Sequence, residues 1–106
     1  MDKTDLISLS NDDLNAAIIY FYNDSCSPCI SLRPKIMEMA ENDFPKMKLI
    51  LVNGLSSREL AGRFNIFSFP TILVYFDGKE FARFSQYVSV SQIKEKISRS
   101  YELFFM

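Results

Sequence analysis

Two unbroken apolar runs constrain this chain most: Ala17-Ile18-Ile19-Tyr20-Phe21-Tyr22 and Met47-Lys48-Leu49-Ile50-Leu51-Val52, the second interrupted by a single lysine. Each is too short for a helix of its own and lacks the polar alternation of a half-solvated strand. They read as strands covered on both faces, which is the pattern of a parallel sheet. Parallel neighbours need a crossover, and the stretch from about Cys26 to Asn42 supplies one. There Leu32, Ile36, Met39 and Ala40 recur at helical spacing on one face. Asn23-Asp24-Ser25 offers turn and N-cap chemistry before it, and Pro28 is tolerated where the first turn has spare N–H groups. Pro34 lies inside the pattern, where a proline costs about 3 kcal/mol locally and predicts a kink.

The remaining segments continue the alternation and then change character. Leu6 to Leu9 predicts a short first strand, and Ser10-Asn11-Asp12-Asp13 supplies caps for a brief helix through about Asn15. Phe44-Pro45 ends the crossover helix, and Ser56-Ser57-Arg58-Glu59 has capping-box spacing before Leu60, Ala61 and Phe64. Thr71 to Phe76, Asp77-Gly78, and Glu80 to Phe84 predict an antiparallel hairpin, because Asp-Gly suits a two-residue turn needing positive φ. Ser89-Val90-Ser91-Gln92 then caps a last helix with Ile93, Ile97 and Tyr101 spaced by four, and the aromatic tail Tyr101, Phe104, Phe105, Met106 is expected to pack on the sheet. No repeat or linker divides residues 1–106, so one α/β domain is expected.

The only two cysteines stand at the strand-to-helix junction in Ser25-Cys26-Ser27-Pro28-Cys29. A chain of 106 residues builds a core without disulfide staples, so this pair is not expected to be scaffolding. A thiol at a helix start meets free N–H groups and partial positive charge, which favour its thiolate. Cys26 therefore reads as an attacking thiol and Cys29, one turn in, as a resolving one. Inert buried thiols, or a metal site shared by two chains, are the bland alternatives. With no histidine there is no Cys/His nucleophilic pair and no imidazole ligand, and two cysteines cannot complete a four-ligand site, so no metal or other cofactor is expected. A net charge of −1 gives no case for nucleic acid or an anionic membrane surface. No apolar run approaches the roughly 20 residues of a membrane span. A monomeric cytoplasmic protein is the expectation.

Together with Phe69-Pro70-Thr71 ahead of a strand and a proline five residues after Cys29, these features make the chain resemble the thioredoxin family over nearly its whole length. The resemblance implies a thioredoxin fold, with a central mixed sheet of about five strands and helices on both faces. It implies a cis Pro70, substrate contacts from Ser25, Ser27, Pro28, Phe69, Pro70 and Thr71, protein disulfides as substrates, and a reductase, thioredoxin reductase being the family's own, to restore the dithiol. The chain also departs from the family pattern. Ser25 and Ser27 replace the usual Trp and Gly around the first cysteine, Tyr20 and Leu51 stand where a buried aspartate and its lysine partner are common, and the position near Gln86 lacks the usual glycine. Two functions follow: a thiol-disulfide oxidoreductase acting as a reductant, or an interaction or redox-sensing module with little turnover.

Overall fold

The computed structural model describes Leu9 and residues 12–106. Four strands, β1 (Ala16–Tyr22), β2 (Lys48–Asn53), β3 (Thr71–Phe76) and β4 (Lys79–Phe84), alternate with three helices, α1 (Ser27–Asp43), α2 (Arg58–Arg63) and α3 (Val90–Phe104). The sheet order is β2-β1-β3-β4. β1 runs parallel to β2 and antiparallel to β3, and β3 pairs antiparallel with β4. This is the mixed sheet expected, with four strands among the described residues instead of about five. The expected first strand lies outside the described residues except for Leu9, which is not in a strand; of its following caps Ser10 and Asn11 also lie outside them, and Asp12–Asn15 form turns rather than a brief helix.

β1 is the central strand because both of its faces are apolar. Ala16, Ile18 and Tyr20 pack with Ile36, Met39 and Ala40 of α1 and Ile93 and Ile97 of α3. Ala17, Ile19 and Phe21 pack on the other side with Leu60 and Ala61 of α2. Helices thus cover both faces. α1 continues through Pro34, whose missing N–H deprives the Ile30 carbonyl of its usual donor. Tyr101, Phe104 and Phe105 close the α1/α3 face as expected, whereas Met106 is exposed.

The turns divide into those legible from residue type and those not. Asp77 and Gly78 both take positive φ, 56° and 74°, as a two-residue hairpin requires. Ser89 and Gln92 form the expected reciprocal capping box. Ser56 to Glu59 does not: Ser57 is the N-cap of α2, its hydroxyl makes no capping bond, and Asn53 Oδ1 accepts instead from the N–H groups of Leu55 and Ser56.

Candidate active site

One end of the sheet collects the residues singled out above. Tyr22, the last residue of β1, is the register partner of Asn53, the last of β2. Thr71, the first of β3, opposes Phe21, and Phe84, the last of β4, opposes Ile72. The segments leaving β1 and β2, approaching β3 and leaving β4 therefore converge. The Gly54 N–H donates to the Tyr22 carbonyl at 2.7 Å, and Asn53 Nδ2 donates to Asp24 Oδ2 at 3.2 Å. Gly54 also lies under Phe69, where a Cβ would overlap the ring.

α1 begins at Ser27 with Cys26 itself as N-cap. Asn23-Asp24-Ser25 make the expected turn, in which the Ser25 N–H donates to Asn23 Oδ1 at 2.9 Å, but none of them is the expected N-cap. Sulfur can take the cap because a helix N-terminus needs only an acceptor for its free amides. Cys26 Sγ accepts from the Cys29 N–H at 3.2 Å, and no acidic side chain competes in the first turn. Cys26 and Cys29 form a disulfide with their Cα atoms 5.2 Å apart. Their exposure differs: Cys26 is half-buried and Cys29 is 0% exposed. Ser25, Ser27 and Pro28 are exposed around the pair.

The Phe69-Pro70 bond is cis, with Pro70 buried and Phe69 half-buried. Thr71 is buried and its Oγ1 donates to the Ser68 carbonyl at 2.8 Å. These residues share the sheet end of the cysteines through the Phe21–Thr71 register pair.

Behind Cys29 stands Tyr20, within reach of the Arg33 charge. Tyr20, 0% exposed, donates its hydroxyl to the Cys29 carbonyl at 2.6 Å. Burial pushes its pKa up to about 12, opposed by the nearby Arg33 charge. The Arg33 guanidinium carbon lies 4.0 Å from the centroid of the Tyr22 ring, and its buried Nε has no hydrogen-bond partner among the described residues. Leu51 is Tyr20's register partner on β2, so the two positions at which the resemblance implies an acid and a lysine hold a neutral pair in direct register. The hydroxyl contact and Arg33 escape sequence reading. The available signal was position: Arg33 lies one turn beyond Cys29 and directly precedes Pro34, on a helix otherwise apolar toward the sheet.

A sheet of this order, with a cysteine pair at the start of the helix after its central strand, defines a class of proteins built for thiol-disulfide exchange. The thioredoxin family model matches residues 7–99. The thioredoxin-like protein YdfQ of Bacillus subtilis (strain 168) is 33% identical over 88 residues, covering 83% of this chain and 78% of that protein. The chloroplastic thioredoxin Y2 of Arabidopsis thaliana is 26% identical over 95 residues, 90% of this chain but 56% of that protein. Among solved structures, Fasciola hepatica thioredoxin superposes with a TM-score of 0.76 at 28% identity, covering 91% of each chain. Thioredoxin 1 from Thermosipho africanus gives 0.76 at 27%, covering 85% of this chain and 99% of that one. The chain belongs to the thioredoxin family, whose chemistry in general is thiol-disulfide exchange, and its Cys26–Cys29 disulfide with a two-residue spacer fits that chemistry.

Proposed function

We propose that this protein works as a reductant of protein disulfides, as one domain over residues 1–106, monomeric and cytoplasmic. The observation that carries the reading is the unequal exposure of the two sulfurs, with Cys26 half-buried at the helix start and Cys29 fully buried behind it. In the dithiol form the Cys26 thiolate attacks one sulfur of a partner disulfide. That S–S bond breaks, the other partner sulfur leaves as thiolate, and a mixed disulfide forms. Cys29 then loses its proton and attacks Cys26 Sγ, releasing the second partner thiolate and closing Cys26–Cys29. Two electrons have passed to the partner, and a reductase returns two to this chain. Ser25, Ser27 and Pro28 face the docked partner around Cys26, while Phe69, Pro70 and Thr71 offer the edge along which an extended segment lies. Among the described residues no helix is long and apolar enough to cross a membrane.

Turnover of insulin disulfides under a dithiol reductant tests this reading. Cys26→Ser is expected to abolish turnover, and Cys29→Ser to accumulate mixed disulfides through Cys26. Equal trapping through Cys29 in the converse variant overturns the assignment of roles. The direction of electron flow follows from the reduction potential: a value near about −270 mV is expected, and one near about −120 mV would make the protein an oxidant. A second reading, a binding or sensing module with little turnover, is favoured by one observation: the position behind Cys29 holds Tyr20, whose raised pKa bars it from accepting a proton at neutral pH. Wild-type inactivity toward insulin would select it.

A further inference from the structure

A bulge in β4 brings together two side chains that a regular strand would hold apart. Residues three apart on a strand point to opposite faces. Here Glu80 pairs with Tyr75 while Ala82 pairs with Val74, so Phe81 is the extra residue and the register shifts by one. Glu80 and Arg83 consequently share the face of their partners Tyr75 and Leu73, the α2 side of the sheet. Arg83 Nε and Nη2 donate to the Glu80 carboxylate at 3.1 and 2.8 Å, which fixes the plane of the guanidinium.

The other edge of that plane faces the end of α2. Nη2 donates to the Phe64 carbonyl at 2.8 Å and Nη1 to the Asn65 carbonyl at 3.0 Å. The chain leaves α2 there in a Schellman turn, with Asn65 at φ 57° and the N–H groups of Ile66 and Asn65 returning to the carbonyls of Ala61 and Gly62. Ile66 is buried, and beyond it Phe67 and Ser68 are exposed before Phe69 and Pro70. Between that anchor and β3, the far end of the loop is held by Thr71 Oγ1 donating to the Ser68 carbonyl and by the Phe69 ring packed over Gly54. Arg83 thus secures the near end by two backbone carbonyls, which only a planar, always-charged fork can meet at once.

We propose that Arg83 is a positioning residue for protein substrates: it braces residues 64–70 from behind so that Phe69 and Pro70 present a fixed edge to a docking strand. The proposal rests on the reading of this protein as a disulfide reductant. Its signature is a split between substrates, because a small disulfide reacts at Cys26 without using that edge. For Arg83→Gln the KM for insulin is expected to rise about fivefold at unchanged kcat, the pattern of lost binding. Its second-order rate with dithiobis-nitrobenzoate is expected to match the wild type. Arg83→Lys, which can reach one carbonyl but not both in the same plane, is expected to fall between. Glu80→Gln leaves the carbonyl contacts and frees the fork, so a smaller rise in the same direction is expected even if Arg83→Gln does not fold. An unchanged KM overturns the role of Arg83, as does a parallel loss with both disulfides, which would mark a general structural effect. A wild type inactive toward both disulfides overturns the reductant reading itself.

Discussion

Tyr20 shows how one residue can alter a reaction without touching the reacting atoms. Its hydroxyl is committed to the Cys29 carbonyl, and with a pKa pushed up to about 12 it cannot accept the Cys29 proton at neutral pH. Release from the Cys26 mixed disulfide is therefore expected to rise with pH from about 6 to 9, toward a free-thiol pKa, in single-turnover measurements. A flat profile would sink the idea. Tyr20→Asp is expected to speed release near neutral pH. It should also lose stability as pH climbs above the ordinary carboxylate range near about 4, since burial raises the pKa of an unpaired acid and the unfolded chain sheds its proton first. Tyr20→Phe isolates the hydrogen bond and is expected to cost about 1 kcal/mol in urea denaturation. The wild type carries a signature of the same sign in a higher pH window. With the folded pKa near about 12 and the unfolded value near about 10, Tyr20's contribution is whole below pH ~10 and lost as pH rises toward ~12. Tyr20→Phe removes that slope.

At the level of elements, α2 and β4 are joined by charge and backbone rather than by apolar packing. The Arg83 contact holds the Glu80 carboxyl below its ordinary pKa. A carboxylate with a lowered pKa contributes stability above its unfolded value near about 4.3 and loses it as pH falls through the folded value. The thermal-midpoint gap between wild type and Glu80→Gln is thus expected to be small at pH 7, since the pair is about a third exposed, and to close in acid. Asn65 supplies a second check. At φ 57° glycine is equally at ease, so Asn65→Gly is expected to be near neutral, whereas Asn65→Ala should cost about 1 kcal/mol by chemical denaturation. Sequence reading anticipated the Asp77-Gly78 turn and the Ser89 box because residue type and local geometry agree there. It misplaced the caps of α1 and α2 because sulfur displaced oxygen at Cys26 and the Asn53 side chain took the Ser56 N–H that the capping box assigns to Glu59. Arg83 was invisible for a different reason: its carbonyl partners lie 18 and 19 residues away, and the register shift that aims it follows from no local rule.

Across the whole molecule, the sheet and the placement of the cysteines were readable because short two-sided apolar runs force parallel pairing, and parallel pairing forces a helix between. What lay beyond that reading is the packing between loops at the site. Gly54 beneath the Phe69 ring is the plainest case: Gly54→Ala is expected to displace Phe69 and cost about 1–3 kcal/mol by overpacking, measured by denaturation. The far end of the sheet is built differently. There the Asp77 and Gly78 amides donate to the carbonyls of Asn15 and Leu14 at 2.6 and 3.0 Å, so the hairpin tip is stitched to the chain that feeds β1. Strands of six residues at about 3.3 Å each set that tip roughly 20 Å from the cysteines. The molecule consequently has a handle: a linker grafted beside Asp77-Gly78 would moor it to an electrode or a bead with the sulfurs facing outward, and current drawn from so oriented a film would report the dithiol couple directly.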